Sequence, residues 1–296
     1  MSEFLTTKEV AALLRIKERK VYELVSRSAI PVSRATGKLL FPRAMIEAWV
    51  LRQADYREGI EGLSARPPVI AGSHDPLLDW ALRESGSGLA SLFDGSLDGL
   101  ARLAEGQALA AGLHIYEPEA PGGGDWNRGH LAQSLAGLPV VLVEWAWRSQ
   151  GLVVPAGNPK GIAGLGDLAG LSLIPRQVKS GSHLLLHHLM TREGLDPDAL
   201  RLLSPPARSE ADVALAVAEG KADAGLAVET VARQHRLGFV PLFRERYDLA
   251  VWRRDYFEPP LQTLLAFSRD EAFARRAVEL GGYDTAGCGT IHYNGP

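Results

Sequence analysis

From Val69 onward the chain repeats one unit: a short apolar run, a loop of small polar residues, then apolar residues at helical spacing. Strands that alternate with helices in this way must bury both in layers, which predicts an α/β body with a mainly parallel sheet. Val69-Ile70-Ala71 runs into Gly72-Ser73-His74-Asp75-Pro76, and a helix with Leu77, Leu78, Trp80, Ala81 and Leu82 follows. Leu89 to Phe93 runs into Asp94-Gly95-Ser96 and a helix with Leu97, Leu100, Leu103 and Ala104. Ala108 to Ile115 carries Gly112-Leu113-His114. Leu171, Leu173 and Ile174 end in a polar loop, Pro175 to His183, that opens the apolar helix Leu184 to Met190. Gln150–Val154, Ala222–Ala227, Phe239–Leu242 and Tyr247–Trp252 read as further strands, and Ala211–Glu219 as a helix. The chain is expected to cross between two lobes near 139–154 and to return near 240–252.

Ligands of open α/β sheets bind beyond the carboxyl ends of the strands. Here those ends carry Ser73, His74, Ser96 and His114, then Ser180, Gly181 and Ser182. A serine oxygen can cap a helix by accepting a first-turn N–H, which suits Ser180 or Ser182. Gly181 lets the backbone approach a ligand closely. The free N–H groups of a helix start carry partial positive charge and favour an anion. The expectation is that Ser73, Ser96, Ser180 and Ser182, each following a strand and opening a helix, converge on one tetrahedral oxyanion. His74 or His114 would lie at the rim, and Tyr247 completes the candidate set.

Composition limits the alternatives. The 296 residues are 46% hydrophobic and 23% charged, as in a soluble globular chain. A single cysteine, Cys288, rules out a disulfide framework or a cysteine-rich zinc site. The start, Met1-Ser2-Glu3-Phe4, lacks the pattern of a secretion signal, and Leu138–Trp147 is too short to span a bilayer. A cytoplasmic protein without a membrane partner is therefore expected. The net charge of −3 hides an asymmetry, because residues 1–58 hold 11 Lys+Arg against 7 Asp+Glu. A basic head on an acidic body suggests that the head alone meets a polyanion.

That head has its own pattern. Thr6 with Glu9 forms a capping box, and Val10, Leu13 and Leu14 recur at helical spacing. After Arg15-Ile16-Lys17 a second helix spans roughly Glu18 to Arg27, with Val21, Leu24 and Val25 inward. Two short helices around a tight turn make a helix-turn-helix. Two short runs about Thr36-Gly37 then read as a hairpin, and a third helix from Pro42 carries Met45, Ile46, Trp49 and Val50 into the small core. Arg15, Lys17, Arg19, Lys20, Tyr22, Arg34 and Lys38 are the candidate contacts to double-stranded DNA.

Two resemblances sharpen this reading. Leu5-Thr6-Thr7-Lys8-Glu9-Val10-Ala11 through Gly37-Lys38-Leu39-Leu40-Phe41-Pro42 resembles the excisionase-type winged helix-turn-helix, related to the MerR DNA-binding domain. The pieces Gly72-Ser73-His74-Asp75-Pro76, Gly151-Leu152-Val153-Val154, Gly157-Asn158-Pro159-Lys160-Gly161, Ala222-Asp223-Ala224-Gly225, Glu245-Arg246-Tyr247-Asp248-Leu249 and Gly282-Tyr283-Asp284-Thr285 together resemble the molybdate-binding-like, type II periplasmic-binding-protein-like sensor domain. The resemblance implies an α/β chain with a small winged helix-turn-helix at residues 1–58, a linker at 59–67 and a two-lobed sensing domain at 68–296. Lobe I would comprise about 68–143 and 246–296, and lobe II about 150–243. It departs from the family at Lys179-Ser180-Gly181-Ser182-His183, where a Gly-Ser-Gly-Thr-Arg-like loop is expected: the arginine is missing and a lysine stands upstream.

Other motifs lack the context their chemistry needs. Gly164-Leu165-Gly166-Asp167-Leu168-Ala169 fits a dinucleotide pattern, but no strand precedes it directly. His183 and His187 have a metal-ligand spacing without a third ligand, so no protein-ligated metal is expected. Ser73-His74-Asp75 are consecutive and cannot relay a proton as a triad. Cys288 reads as inert, and Trp145 and Trp147 as packing at the crossover. The expected function is a ligand-responsive DNA-binding transcriptional regulator, without enzymatic activity or a cofactor, acting as a homodimer. Its effector would be a small oxyanion, molybdate or tungstate by resemblance. The alternatives are a small carboxylate, or an enzyme or binding protein of molybdenum cofactor metabolism.

Overall fold

The computed structural model describes residues 4–34, 37–52, 66–120, 124–196 and 200–296. The chain forms two units, Met1–Ser64 and a larger one of Ala65–Leu135 with Pro139–Gly295. The expected linker at 59–67 falls mostly outside the described residues.

In the first unit β1 (Phe4–Leu5) leads into α1 (Thr7–Leu13), and α2 (Glu18–Ser26), β2 (Phe41–Pro42) and α3 (Arg43–Arg52) follow. Thr6 and Glu9 form the capping box, with the Thr6 hydroxyl accepting the Glu9 N–H at 3.3 Å. The turn between the helices closes by Ile16 N–H donating to the Ala11 carbonyl at 3.0 Å. Beyond α2, Ser33 and Leu40 exchange two backbone hydrogen bonds, and Gly37 takes φ +73° in the turn between them. β2 pairs back on β1. Leu5, Val10, Val21, Val25, Phe41 and Ile46 form the core. The third helix buries less than its pattern suggests: Ile46 is enclosed, whereas Met45 and Val50 are exposed. Pro42 lies in β2 and not in the helix.

The second unit runs β3 (Val69–Gly72), α4 (Pro76–Glu84), β4 (Ala90–Phe93), α5 (Ser96–Ala104) and β5 (Ala110–Leu113). The small pair β6 (Tyr116–Glu117) and β7 (Asp125–Trp126) precedes α6 (Arg128–Ser134) and the long β8 (Val140–Val154). Next come β9 (Ser172–Ile174), α7 (Gly181–Arg192), β10 (Arg201–Leu202), α8 (Glu210–Ala218), β11 (Ala224–Val228) and α9 (Glu229–Gln234). The second long strand, β12 (Gly238–Trp252), leads through α10 (Arg253–Tyr256), α11 (Pro259–Phe267) and α12 (Glu271–Leu280) to β13 (Tyr283–Asp284) and β14 (Ile291–Asn294).

β8 and β12 are antiparallel along their whole lengths, from Trp252 opposite Val140 to Gly238 opposite Val154. One end of this ribbon carries β5, β3 and β4; the other carries β11, β9 and β10. Each end has its own core. Ile70, Leu77, Val143, Trp145, Leu249, Leu264 and Phe273 belong to one. The far end is filled by Leu152, Leu173, Leu185, Leu189 and Leu226 on one side and by Val153, Val213, Val217 and Val231 on the other. The body is thus two-lobed, with the ribbon crossing between lobes.

Two expectations are corrected here. The sheet is mixed, because β8–β12, β12–β5 and β11–β8 are antiparallel while the outer pairs are parallel. Phe239–Leu242 and Tyr247–Trp252 are one strand, interrupted by irregular register at Pro241/Phe243 and Tyr247/Asp248. Pro241 has no N–H for the ladder, so the local bulge keeps the strand continuous. Gly164–Ala169 contains only a 3-10 turn at Leu165–Leu168, as its lack of a preceding strand suggests. No helix among the described residues is long and apolar enough to cross a membrane.

Candidate ligand-binding cleft

The strand ends of the first lobe meet the start of α7. Ser73 follows β3, and its Oγ lies 2.8 Å from His114 Nε2. His114 follows β5, and its backbone N–H donates to Ser96 Oγ at 3.2 Å. Its other ring nitrogen, Nδ1, lies 2.9 Å from Glu245 Oε2 on β12. Burial pushes the Glu245 carboxyl up, but Arg148 and His114 outweigh it and hold the group at about 2. An ionised carboxylate only accepts, so Nδ1 of His114 carries a proton, and in the neutral ring Nε2 accepts from the Ser73 hydroxyl.

Arg148 closes the network from β8. Its Nη1 donates to Asp75 Oδ2 at 2.9 Å and its Nη2 to Glu245 Oε1. Its guanidinium lies 4.5 Å from the centre of the Tyr247 ring. The Tyr247 hydroxyl donates to the Ser73 carbonyl. Asp75 also caps α4, accepting the Leu78 N–H at 2.7 Å, and takes the Tyr283 hydroxyl at 2.7 Å. Buried charges survive only when paired and hydrogen-bonded; all three charged groups here are ion-paired, while Arg148 Nε is left without a partner.

From the second lobe, Ser180 caps α7 by accepting the His183 N–H at 3.1 Å and donates to the Gln177 carbonyl at 2.8 Å. Ser182, in the first turn, donates to Glu210 Oε1 at 3.3 Å and receives Gln150 Nε2 at 3.3 Å. Gln150 also donates to Glu245, which joins the two halves of the cluster. A side chain at Gly181 would come within 2.6 Å of the His114 carbonyl. Glycine is therefore required where the α7 start approaches the first lobe. At the mouth, Asp94 binds Gln177 Nε2 and Arg208 Nη2, and Leu97 N–H donates to the Lys179 carbonyl.

The structure thus gathers Ser73, Ser96, His114, Gly181, Ser182 and Tyr247 into one buried cluster, with Ser180 at its edge. It alters several roles. Ser73 does not open a helix; Asp75 does, because the carboxylate two residues on reaches the first-turn N–H. His114 is at the centre and not at a rim, with 1% of its surface exposed. His74 lies aside, edge-on to Phe93 at 5.6 Å. His183 and His187 pack ring to ring at 4.5 Å, and among the described residues no three metal-ligating side chains gather. The sequence reading missed Asp75, Arg148, Gln150, Glu210 and Glu245. It also missed Arg176, a buried arginine whose Nη2 donates to the Arg208 carbonyl at 3.0 Å. The available signal was charge inside segments that read as strands, as at Arg148 and Glu245.

In the first unit, Arg15, Lys17, Arg19, Lys20, Tyr22, Arg34 and Lys38 are all exposed, on α2, the turn before it and the hairpin. Lys20 and Arg27 each lie 3.0 Å from Glu23.

Comparison with known proteins fits both units. Residues 4–54 match a helix-turn-helix domain model of the excisionase-like type. A Bacillus subtilis (strain 168) protein, the uncharacterized YvgK, is 25% identical over 302 residues, covering 97% of this chain and 96% of that one. Among solved structures, a putative phosphate transporter substrate-binding protein from Clostridium perfringens superposes with a TM-score of 0.52 at 12% identity, over 74% of this chain and 98% of that chain. The tungstate ABC transporter from Geobacter sulfurreducens gives 0.50 at 18% identity, over 71% and 97% respectively. These likenesses concern the fold. Residues 79–269 match the PBP superfamily domain, and with well over half of its length in that match the chain belongs to the PBP superfamily.

Proposed function

We propose that this chain is a one-component transcriptional regulator whose two-lobed body binds a small anion and thereby changes the DNA affinity of the helix-turn-helix. The observation that carries the reading is the buried cluster between the lobes. Serines 73, 96, 180 and 182 and the first turn of α7 stand together there, on elements from both lobes. Helix N-terminal N–H groups suit an anion, and the Ser73, Ser180 and Ser182 hydroxyls, which donate to His114, Gln177 and Glu210 here, would turn toward a bound one. Closure of both lobes on one ligand couples its binding to their separation. The resemblance to molybdate-binding-like sensors supports molybdate or tungstate, the phosphate and tungstate transport proteins of like fold support an oxyanion in general, and a small carboxylate is the alternative. A homodimer reading two half-sites completes the proposal. The test uses DNA selected by the purified full chain from a random pool. Anisotropy titrations with and without each anion should show an affinity change with at least one of them. Selected DNA that binds identically under every condition counts against the reading.

A second reading rests on Ser73, His114 and Glu245, which have the connectivity of a nucleophile, a base and an orienting carboxylate. It is weaker because Arg148 already neutralises Glu245, which leaves less charge to stabilise an imidazolium. Turnover of a small activated ester, abolished by Ser73→Ala, would favour it over the regulator.

A further inference from the structure

Buried polar atoms without a partner among the described residues include Arg176 Nε and Nη1, Gln150 Oε1 and Gln177 Oε1. The two amide orientations are dictated by their neighbours. Gln150 Nε2 faces the Glu245 carboxylate, and Gln177 Nε2 faces the Asp94 carbonyl and carboxylate. Each amide nitrogen must point at those acceptors, so each carbonyl oxygen is left needing a donor. Arg176 is 5% exposed and has donors to spare. It bridges to Ala207 beside the start of α8, whose first residue, Glu210, holds Ser182. Arg176 lies within electrostatic range of Glu210, Arg148 and Glu245, Gln150 bonds Glu245 and Ser182, and Gln177 is the residue after Arg176, so the spare donors and acceptors belong to one cluster.

Charge narrows the ligand further. Asp75, Glu245, Glu210 and Asp212 act on Arg148 or Arg176, four carboxylates against two guanidiniums, and Asp75 and Glu245 are both taken by Arg148. A dianion such as molybdate would add two negative charges to this cluster. It would also bring no donor for Gln150 or Gln177. A monocarboxylate adds one charge, and a hydroxyl or ammonium on it supplies the missing donor.

We propose that Arg176 holds the carboxylate of a small monocarboxylate ligand, and that a hydroxyl or ammonium group of the same ligand donates to Gln150 or Gln177. This rests on the cleft being the ligand site, as proposed above. It also assigns to Arg176 the positive charge that the loop after Ser182 does not provide.

Calorimetry on the full chain with propionate, lactate, alanine, phosphate, molybdate and tungstate tests it. Lactate or alanine should bind at least tenfold tighter than propionate, which has the same carbon frame without the donor, and tighter than any of the three oxyanions. Arg176→Met should lose tenfold or more in that affinity, and Arg176→Lys less. The ligand-free melting temperature of each variant reports its folding, and Arg176→Lys decides if Arg176→Met does not fold. Tightest binding by molybdate, tungstate or phosphate overturns the ligand class and leaves the cleft reading standing. Unchanged affinity in a folded Arg176 variant overturns the anchor. Failure of all six probes to bind overturns the cleft reading together with this one.

Discussion

Arg148 of β8 and Glu245 of β12 stand directly opposite each other in the ribbon, and their side chains form a buried ion pair. The pair sits between the stretch of β12 bonded to β5 and the stretch of β8 bonded to β11. Through Asp75 and His114 it reaches α4, Ser73 and the end of β5. The strands that join the lobes are thus tied to the residues that line the cleft.

Removing Arg148 should be costly. Arg148→Met leaves Asp75 and Glu245 buried without their cation, and breaking such a pair costs about 3–5 kcal/mol. Urea unfolding should show that loss. Adding Asp75→Asn and Glu245→Gln to the same chain should recover part of it, because the unpaired charges are then gone.

The acid side of the stability profile should carry Glu245. Its carboxyl is held at about 2 when folded, against 4.5 ordinarily. The stabilisation is complete above 4.5 and is lost as the pH falls from there toward 2. Glu245→Gln should therefore be less stable than wild type near neutral pH, and the difference should shrink toward pH 2. Asp248 works in the opposite direction. Burial raises it from 3.8 to about 6 against Arg246 and Asn127, so its contribution weakens as the pH rises through that window. Denaturant titrations at several pH values on wild type and Glu245→Gln check the first effect; a constant difference down to pH 2 would contradict it.

Gly181 should act on both folding and ligand binding. Gly181→Ala places a methyl within 2.6 Å of the His114 carbonyl, and backbone on that side has little room to yield. The start of α7 would be pushed from the first lobe, so affinity for any cleft ligand should fall about tenfold or more, roughly 1.4 kcal/mol. Because the same contact stands in the ligand-free structure, the ligand-free melting temperature should fall as well, and affinity is read at a temperature where the variant is folded. An unchanged affinity by calorimetry would show that the α7–His114 contact is not part of the bound state.

The DNA face offers a gain as well as a loss. Glu23 holds Lys20 and Arg27, so Glu23→Gln should release both cations and tighten DNA binding. Arg34→Ala removes one exposed charge and should weaken binding, lowering the slope of log K against log salt by about 1. Anisotropy over a salt series reads both. Wild-type affinity and slope in the two variants would remove this face from the DNA contact.

Short-range chemistry was legible in the residues themselves. The Thr6–Glu9 capping box, the Gly37 turn, the Ser180 cap and the alternation from Val69 onward depend on neighbours within a few positions, and each stands in the structure. The two-lobed body followed from the resemblance to the periplasmic-binding-protein-like sensor domain, since the apolar pattern of each unit predicts only an α/β layer. Strand direction and long-range pairing could not be inferred. Whether β8 met β12 antiparallel, and whether Phe239–Leu242 joined Tyr247–Trp252, depended on partners about a hundred residues away. The cleft shows the same division. Its serines and glycine announced themselves by following strands, whereas Asp75, Arg148 and Glu245 became one network only when three separated segments were packed together. A buried charge is tolerated by virtue of its partners, and those partners exist only in the folded chain.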